Sequence, residues 1–358
     1  MRFGGWELTA AVASCLVSLG LVPLIGGWAR RRRLLDLPTT RSAHRDPKPR
    51  LGGLGVVAAM AVGVIVSLAA PLAGLGSLFV MLLLGAIVGL VSLVDDLRGL
   101  PALPRLAVHV LVASAATVWI GSASRVFLPG DVIVSLGAFG AVVTACWIVL
   151  FVNAFNFMDG VDGIAGAQAL AAGLVWVGLG WSADAPVVGW AGAIAAGAAL
   201  GFLQYNWQPS SIFLGDVGAT FLGFWLAAIP LLSGQPDRFL LPAVFVVWPF
   251  VVDVIFTLAM RVRRGEYLFA GHQQHVYQRL VAKGWSHSHV ALLYAALSGI
   301  GGIVAIGLVR GDQVVTAAGL TAVALSALTV QVLLLRPGPG GETIEGMSAP
   351  TPIPARRR

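Results

Sequence analysis

Two aspartates, Asp95 and Asp96, stand side by side where a long apolar segment ends. Adjacent carboxylates beside an apolar phase repel each other unless a cation or a basic group compensates their charge. Mg²⁺ meets that need with oxygen ligands, and it commonly takes one or two carboxylates together with the phosphates of a substrate. The pair therefore predicts a metal or phosphate site. The alternative is a pair that caps a helix and turns into solvent.

A second polar group follows another apolar segment, and its members recur at every third position. They are Asn153, Asn156, Asp159 and Asp162. In a helix this spacing places the side chains on one face, where their oxygen atoms could converge on a ligand. A calcium loop of the EF-hand kind is excluded, because no glutamate closes the pattern. The group therefore predicts a binding surface for a metal or a substrate.

Two further aspartates lie at the start of an apolar segment and inside one. Asp216 stands between Gly215 and Gly218, where it could cap a helix or face a phosphate together with backbone N–H groups. Asp253 lies about 12 Å along a helix from the nearest loop, at the helical rise per residue. An ionisable group at that depth is either functional or paired with an arginine of another segment.

Basic residues occur in two polar segments, with Arg41, His44 and Arg50 in the first and His272, His275 and Arg279 in the second. The first set supplies donors that suit phosphate. The second set could bind an anionic, planar substrate, and His287 beyond it is interpreted as a solvated loop residue. Zinc is a poorer interpretation of the His-x-x-His pattern, because tetrahedral zinc needs three or four nitrogen or sulfur ligands and no cysteine is near.

These motifs need a scaffold, and the composition of the 358-residue chain indicates a membrane protein. Hydrophobic residues make up 58% of it and charged residues 11%, with a mean hydropathy of +0.87. A soluble domain carries about 25% charged residues, so this chain could not cover its surface in water. Apolar segments that could span a bilayer lie near 8–29, 52–73, 75–94, 101–120, 132–152, 163–181, 185–204, 217–234, 239–260, 290–309 and 313–335. The predicted fold is an all-α integral membrane protein, a polytopic bundle of about eleven transmembrane helices with about ten as the alternative.

The distribution of lysine and arginine orients this bundle. Basic residues gather in alternate connections, and the only ones in the other connections are Arg2, Arg125, Arg238 and Arg310. Because basic loops stay in the cytoplasm, the N-terminus is predicted to be outside and the C-terminus cytoplasmic. The predicted cytoplasmic active-site loops are 30–50, 95–105, 153–162, 205–216 and 261–289. The membrane domain is predicted over 1–335, and the proline-rich residues 336–358 are predicted to form a disordered cytoplasmic tail.

The net charge of +7 does not indicate a nucleic-acid partner. It is spread over loops beside apolar segments rather than concentrated on one face of a soluble fold. Cys15 and Cys146 lie within apolar segments and are interpreted as packing residues. The first apolar segment continues to Ala29, so it is predicted to be an uncleaved span. The sequence does not fix the oligomeric state, and a homodimer is compatible with it.

Taken in order, the motifs resemble those of the polyprenyl-phosphate N-acetylhexosamine-1-phosphate transferase superfamily, glycosyltransferase family 4. The resemblance runs from about Asp36 to Gly284. The matching motifs are Arg41-Ser42-x-His44 with Pro49-Arg50-x-Gly52-Gly53; Asp95-Asp96; Asn153-x-x-Asn156-x-x-Asp159-Gly160-x-Asp162-Gly163; Asn206-Trp207-x-Pro209 with Phe213-Leu214-Gly215-Asp216-x-Gly218; and His272-x-x-His275. Their shared order, all near the predicted cytoplasmic side, makes the resemblance specific.

The resemblance implies a bacterial inner-membrane enzyme that moves a sugar-1-phosphate from a UDP-N-acetylhexosamine, or a deoxy or amino relative, to undecaprenyl phosphate. UMP is released, Mg²⁺ or Mn²⁺ is the metal ion, and the product initiates a cell-envelope glycan. The implied catalytic residues are Asp95, Asp96, Asp159, Asp162 and Asp216, of which Asp96, Asp159 and Asp216 would lie at the metal. The implied substrate-binding residues are Arg41, His44 and Arg50 at phosphate, Asn153 and Asn156 at the nucleotide sugar, and His272, His275 and Arg279 at the diphosphate or nucleotide.

Two departures from the family pattern favour one branch. Peptidoglycan-type members carry three consecutive histidines and a lysine four residues after the first aspartate of the pair. Here the corresponding places hold His272-Gln273-Gln274-His275 and Gly99. The sequence is more similar to the branch that initiates O-antigen lipopolysaccharide or exopolysaccharide synthesis.

Two other membrane functions also use carboxylates. An ion-coupled transporter would concentrate them near the midplane on broken helices, and only Asp253 lies even partly inside an apolar segment. A lipid phosphotransferase of the CDP-alcohol class would carry an Asp-Gly-x-x-Ala-Arg pattern, which Asp159-Gly160-Val161-Asp162 does not continue. Both remain as alternatives to the transferase.

Overall fold

The computed structural model describes residues 5–37, 46–70, 74–130, 132–266 and 274–335. Arg41, His44, His272 and the predicted tail lie outside the described residues. The helices are α1 (Gly5–Arg31), α2 (Gly52–Ser67), α3 (Leu75–Arg98), α4 (Ala102–Trp119), α5 (Phe139–Met158), α6 (Ile164–Ser182), α7 (Pro186–Asn206), α8 (Gly215–Ala228), α9 (Pro236–Val246), α10 (Trp248–Arg263), α11 (Val276–Ala282), α12 (His287–Arg310) and α13 (Gln313–Leu335). A 3-10 turn, Ile229–Ser233, continues α8. Antiparallel pairs are formed by β1 (Leu35–Asp36) with β2 (Lys48–Pro49) and by β3 (Arg125–Leu128) with β4 (Val132–Ser135).

Within the described residues, nine helices are long and apolar enough to cross a membrane. They are α1, α3, α4, α5, α6, α7, α8 with its 3-10 turn, α12 and α13. The predicted span 239–260 is instead a pair of helices, α9 and α10, that meet at a 70° bend. Pro249 follows the break and has no N–H to bond back across it. Counting the pair as one span gives ten, which confirms an all-α, multi-pass membrane fold.

Two predicted spans differ from the sequence-based bounds. In the segment predicted over 52–73, whose described part ends at residue 70, the described helix is the 16 residues of α2. At the usual rise this is about 24 Å, less than the roughly 30 Å hydrocarbon core of a bilayer. The segment predicted over 132–152 becomes helical only at Phe139, because its first residues form β4 and pair with β3. β-Branched valine and isoleucine in β4 favour the strand.

The centre of the bundle is α7, which packs between α1 and α6. In the 18-residue apolar stretch of α7, 89% of the residues are buried, whereas in that of α13 only 6% are buried. A Cβ on Gly192 of α7 would lie 2.6 Å from the carbonyl oxygen of Gly173 on α6, and one on Gly197 would overlap the backbone of Ala11 on α1. Backbones therefore touch at these positions. Small residues permit this approach between helices in lipid.

The alternating direction of the helices brings the predicted motifs to one end of the bundle. The helices α3, α5 and α7 end there, and α4, α6, α8 and α12 begin there. This end, which carries Asp95, Asp96, Asp159 and Asp216, is called the acidic end below. The opposite end is called the far end, and it holds the β3–β4 hairpin and the connections that precede α9 and α13.

Candidate active site

Four aspartates from three helices meet at the acidic end, and Arg105 lies among them. Asp95 and Asp96 belong to the last turn of α3, Asp159 follows α5, and Asp216 is the second residue of α8. The Arg105 guanidinium, from the first turn of α4, bonds to the Asp95 carboxylate and lies 3.2 Å from an Asp216 oxygen. The structure thus brings together carboxylates that the sequence shows only as separate motifs.

Asp96 forms the base of this cluster, and Asp216 is its accessible member. The Asp96 side chain is 3% exposed, whereas that of Asp216 is 36% exposed. The Asp96 carboxylate accepts a hydrogen bond from the backbone N–H of Val217 at 3.1 Å, and Arg50 Nε lies 3.8 Å from it. Asp96 therefore holds the first turn of α8, and that turn presents Asp216 outwards.

A glycine allows α8 to start so close to Asp96. Gly215 has a φ of +74°, and a Cβ there would overlap the carbonyl oxygen of Arg50. A larger residue would be strained by both its backbone conformation and its contacts. The backbone N–H groups of Gly52 and Gly53 donate hydrogen bonds, at 2.9 and 2.7 Å, to the carbonyls of Phe213 and Leu214. The start of α2 is therefore tied directly to the start of α8.

Asp159 faces the same cluster, and no base of the described residues compensates its charge. Burial is the largest cause that raises its pKa to about 7, and the charges of Asp216, Asp96 and Asp162 add to it. A carboxyl group in such surroundings gains stability in its ionised form when a cation approaches. Asp159 is therefore suited to bind a positive ion and poorly suited to remain charged alone.

The donor set fits a hard divalent cation. Asp96, Asp159 and Asp216 offer only oxygen atoms, which are the ligands that Mg²⁺ prefers. Within the described ranges, no three histidine, cysteine or acidic side chains already form a metal-binding group. Mg²⁺ usually keeps several waters and takes one or two carboxylates along with substrate phosphates, so a complete protein cage is not required. The carboxylates therefore suit a metal that binds together with a phosphate-bearing substrate.

Asp162 lies near this cluster but its carboxylate is fully engaged. It accepts hydrogen bonds from the backbone N–H and the hydroxyl of Ser210 at 3.1 and 2.7 Å, and Lys48 Nζ lies 3.7 Å away. Burial alone would raise its pKa, but the nearby His287 side chain, the hydrogen bonds from Ser210 and the charge of Lys48 outweigh it and lower the pKa to about 2. Asp162 therefore acts as a charged anchor between loops.

His287 belongs to this anchor, so its interpretation as a solvated loop residue is wrong. It is the first residue of α12, and its Nδ1 atom accepts a hydrogen bond from the backbone N–H of Asp162 at 3.3 Å. The same Nδ1 atom lies 3.6 Å from the Asp162 carboxylate. The start of α12 is thereby fixed beside the loop that follows α5.

The single polar face predicted for Asn153, Asn156, Asp159 and Asp162 forms only in part. The helix α5 ends before Asp159 and the chain then turns, so Asp162 leaves the helical line. The Asn153 amide points towards α4, where it lies 3.3 Å from Nδ1 of the buried His109. Asn156 is partly buried in the last turn of α5, next to Asp159. The spacing therefore predicts the surroundings of Asn156 and Asp159 better than those of Asp162.

Asp253 caps a helix, and no arginine pairs with it among the described residues. Its buried carboxylate accepts the backbone N–H groups of Val276 and Tyr277, at 2.9 and 3.1 Å, which open α11. It also accepts the Tyr294 hydroxyl at 2.5 Å and lies 3.0 Å from Nδ1 of His275. His275, predicted at the substrate, is thus held with Asp253 inside the protein.

The helix α11 in turn contacts the loop of the acidic cluster. The Tyr277 hydroxyl donates a hydrogen bond to the carbonyl of Phe157 at 3.3 Å, and a Cβ on Gly160 would overlap that hydroxyl. Arg279 Nε donates to the carbonyl of Gln274 at 2.9 Å. Through Asp253 and Tyr277, the segment that carries Arg279 is docked against the chain next to Asp159.

Sequence reasoning missed Arg105 and Ser210, and it missed the contact between Lys48 and Asp162. Arg105 stands near a helix start just after an acidic pair, a local signal that could have found it. Lys48 and Ser210 offer no such signal. Their partner Asp162 is remote from both in sequence, so only the fold shows that the three meet.

The chain resembles known membrane transferases along most of its length. Residues 78–234 match the family described as glycosyl transferase family 4. Decaprenyl-phosphate N-acetylglucosaminephosphotransferase of Mycobacterium leprae is 30% identical over 82% of this chain and 80% of the relative, and the protein of the same name from Mycobacterium tuberculosis is 31% identical over 82% and 79%. Undecaprenyl-phosphate alpha-N-acetylglucosaminyl 1-phosphate transferase of Yersinia pestis is 26% identical over 76% of each chain. The motifs, the helical bundle and these relatives agree, and the chain belongs to glycosyl transferase family 4.

Proposed function

We propose that this protein transfers a sugar-1-phosphate of the N-acetylhexosamine type from a UDP-sugar to a polyprenyl phosphate and releases UMP. The names of its relatives, quoted above, support this transfer. The observation that carries the proposal is the pairing of opposite charges at one end of a membrane bundle. Asp159 and Asp216 supply carboxylates there, and Arg105 and Arg50 supply guanidinium groups. Joining two phosphate compounds at a bilayer surface needs both kinds of charge.

The reaction balances as a single displacement. An oxygen of the polyprenyl phosphate attacks the phosphorus that bears the sugar, and a new P–O–P bridge forms. The bond from that phosphorus to the UMP oxygen breaks, and its electron pair leaves with UMP. A phosphate monoester is largely dianionic at neutral pH, so the attacking oxygen needs little help from a base. We therefore propose direct attack, without a covalent aspartyl intermediate.

The residues of the acidic end have distinct tasks in this proposal. Asp216 and Asp159, with Asp96 beneath them, would hold Mg²⁺ or Mn²⁺. Such an ion would neutralise the charge of the diphosphate and of the departing UMP. Arg105 and Arg50 bind phosphate oxygens, since guanidinium groups match them in geometry and charge.

Two further residues position this group. Asp95 keeps Arg105 in place through their ion pair. Asp162 orders the loop after Asp159 through its bonds to Ser210 and its ion pair with Lys48. Arg41, His44 and His272 remain predicted contacts of the substrates, as do Asn153, Asn156, His275 and Arg279.

The acidic end is proposed to face the cytoplasm of a bacterial inner membrane, with the N-terminus outside. The concentration of basic residues in the loops of that end supports this orientation. The relatives' names make UDP-N-acetylglucosamine the first donor to test. Initiation of O-antigen or exopolysaccharide synthesis is the proposed pathway, from the sequence pattern alone. An ion-coupled transporter is not favoured, because Asp253, on which that alternative depended, is bonded to α11.

The test is UMP release by purified protein from a panel of UDP-N-acetylhexosamines, with and without undecaprenyl phosphate and Mg²⁺. Release should require both the lipid and the metal ion. Asp216→Asn should lower kcat by about 10³-fold, the loss expected when one group that stabilises the transition state is removed. Asp184→Asn is the matched control, because Asp184 is exposed in the turn between α6 and α7 at the far end.

Two results would contradict the proposal. UMP release that is independent of the lipid acceptor would indicate a hydrolase. No release from any donor, by folded protein that also fails to bind UDP-sugars, would remove the nucleotide sugar as a substrate.

A further inference from the structure

A polar cavity of about 680 Å³ lies at the far end, away from the acidic cluster. Three separate parts of the chain line it: the β3–β4 hairpin, the start of α9 and the connection between α12 and α13. Each of them contributes one arginine, namely Arg125, Arg238 and Arg310. Asp237 is the acidic residue of the lining. The cavity volume lies in the range typical of ligand sites, about 300–1,000 Å³.

These arginines stand out because the far end is otherwise poor in basic residues. The sequence places only four of its 23 basic residues in the connections of that end, and the fourth, Arg2, lies outside the described residues. Basic residues in such loops oppose the charge bias that orients membrane proteins. Three arginines from three connections nevertheless line one cavity. Topology alone does not explain that convergence, whereas a shared anionic ligand does.

Two of the three arginine side chains, those of Arg125 and Arg238, are held by contacts within the wall. The Asp237 carboxylate accepts the backbone N–H groups of Ser124 and Arg125 at 2.5 and 3.1 Å, and Arg125 Nε lies 3.3 Å from it. This aspartate joins the hairpin to α9. Arg238 Nε donates to the carbonyl of Val309, at the end of α12, at 3.0 Å. A site whose donors are already ordered loses less entropy when a ligand binds.

The charge balance of the lining calls for an anion. Among the described residues that line the cavity, three guanidinium groups face one carboxylate, and that carboxylate is already engaged by the hairpin. Arg310 is exposed at the last residue of α12. A guanidinium group can form bidentate hydrogen bonds with two phosphate oxygens, which a single point charge cannot do. The lining therefore suits a phosphate-bearing ligand.

The hairpin beside the cavity indicates where that phosphate comes from. All four residues of β4 are exposed, including Val132, Ile133 and Val134, and Phe127 of β3 is exposed as well. A row of exposed apolar side chains at the end of a membrane bundle is suited to the boundary between headgroups and acyl chains. We propose that the cavity lined by Arg125, Arg238 and Arg310 binds the phosphate headgroup of an anionic membrane lipid. The inference concerns the far end and stands independently of the proposed function.

The test is native mass spectrometry of the full-length protein, titrated with phosphatidylglycerol or with phosphatidylcholine of the same acyl chains. The wild-type protein should retain phosphatidylglycerol in preference to phosphatidylcholine. The double variant Arg125→Gln/Arg310→Gln should bind the tightest phosphatidylglycerol about tenfold more weakly, since each basic group near a membrane surface adds appreciably to anionic-lipid binding. Arg125→Lys/Arg310→Lys should recover part of the loss because it keeps the charge. Circular dichroism and elution volume establish that each variant is folded.

A matched control removes the same charge from the other end of the molecule. Arg31→Gln/Arg32→Gln, at the end of α1, should leave the tightest phosphatidylglycerol in place. Equal loss in both double variants would overturn the proposal, because the binding would then follow net charge. Unchanged binding in Arg125→Gln/Arg310→Gln would overturn it too. Displacement of the lipid from wild-type protein by millimolar inorganic phosphate would overturn the lipid assignment in favour of a free anion, whereas resistance to phosphate supports the lipid.

Discussion

Asp159 and Asp162 stand three residues apart in the chain, yet their surroundings are opposite. Asp159 lies among other carboxylates, and its pKa is raised to about 7. Asp162 is held by Ser210, Lys48 and His287, and its pKa is lowered to about 2. Both fit the same repeating pattern of polar residues in the sequence. Their partners, rather than their spacing, decide which of them can bind a new cation.

The same contrast separates Asp216 from Asp253. Asp216 is over a third exposed and shares Arg105 with Asp95, whereas the carboxylate of Asp253 is buried and meets two backbone N–H groups, a hydroxyl and a histidine. Asp159 and Asp216 are called the open carboxylates here, and Asp162 and Asp253 the anchoring carboxylates. The open pair should matter for turnover and the anchoring pair for stability.

The sharpest test of this division is Asp253→Asn. The amide keeps one acceptor oxygen but turns an NH₂ group towards buried donors, so we expect the free energy of unfolding to fall by about 3 kcal/mol. An unfolding titration in mixed micelles measures it. The control is Asp312→Asn, because Asp312 is an exposed acceptor for the first turn of α13 and should cost only a few tenths of a kcal/mol. Full stability of Asp253→Asn would contradict the anchoring role.

The next largest effect is expected on turnover, from removal of Arg105, the base that Asp95 and Asp216 share. Arg105→Gln takes away a charged partner of Asp95 and Asp216, together with a donor for phosphate, so kcat/KM should fall by roughly 30-fold, as for the loss of one charge-assisted hydrogen bond. Steady-state UMP release measures the effect. Arg98→Gln is the matched control, because Arg98 is exposed in the last turn of α3. This variant should change kcat/KM less than threefold. Equal losses in the two variants would mean that Arg105 acts only through bulk charge.

Asp159→Asn should change the free energy of unfolding only slightly. The sign of that change is informative. Since the pKa of Asp159 is raised when the protein folds, the folded state holds the proton more tightly between about pH 4 and pH 7. The stability of the wild-type protein therefore falls as pH rises through that window, and the variant lacks this loss. Without divalent ions at pH 7.5, Asp159→Asn should be more stable by on the order of 1 kcal/mol, after discounting for solvent screening.

Two changes of condition should reduce the difference in stability between Asp159→Asn and the wild-type protein. Lowering the pH to 4 removes the charge of Asp159 from the wild-type protein, and millimolar Mg²⁺ compensates it. Thermal unfolding at the two pH values, with and without Mg²⁺, measures both effects. A less stable Asp159→Asn protein at pH 7.5 would place Asp159 with the anchoring carboxylates.

Much of this arrangement could be predicted from the sequence because it depends on local patterns. The length of the apolar segments predicts the spans, and the order of the motifs predicts the family. Asp95, Asp96 and Asp216 lie at helix ends, which the boundaries of the apolar segments indicate directly. The bend between α9 and α10 could not be placed, because its apolar pattern continues across the break. The anchors were missed for a different reason. Lys48, Ser210 and His287 reach Asp162 from three remote segments, and no local pattern records such a contact.

The shortness of α2 has a consequence for the bilayer itself. Its 16 residues begin at Gly52, beside the start of α8 and hence beside Asp216. A helix about 24 Å long against a hydrocarbon core of roughly 30 Å creates a hydrophobic mismatch, which thins the bilayer or draws water and headgroups inwards around it. The membrane should therefore be thinner where α2 contacts it, so that the headgroups of the two leaflets lie closer together beside this helix.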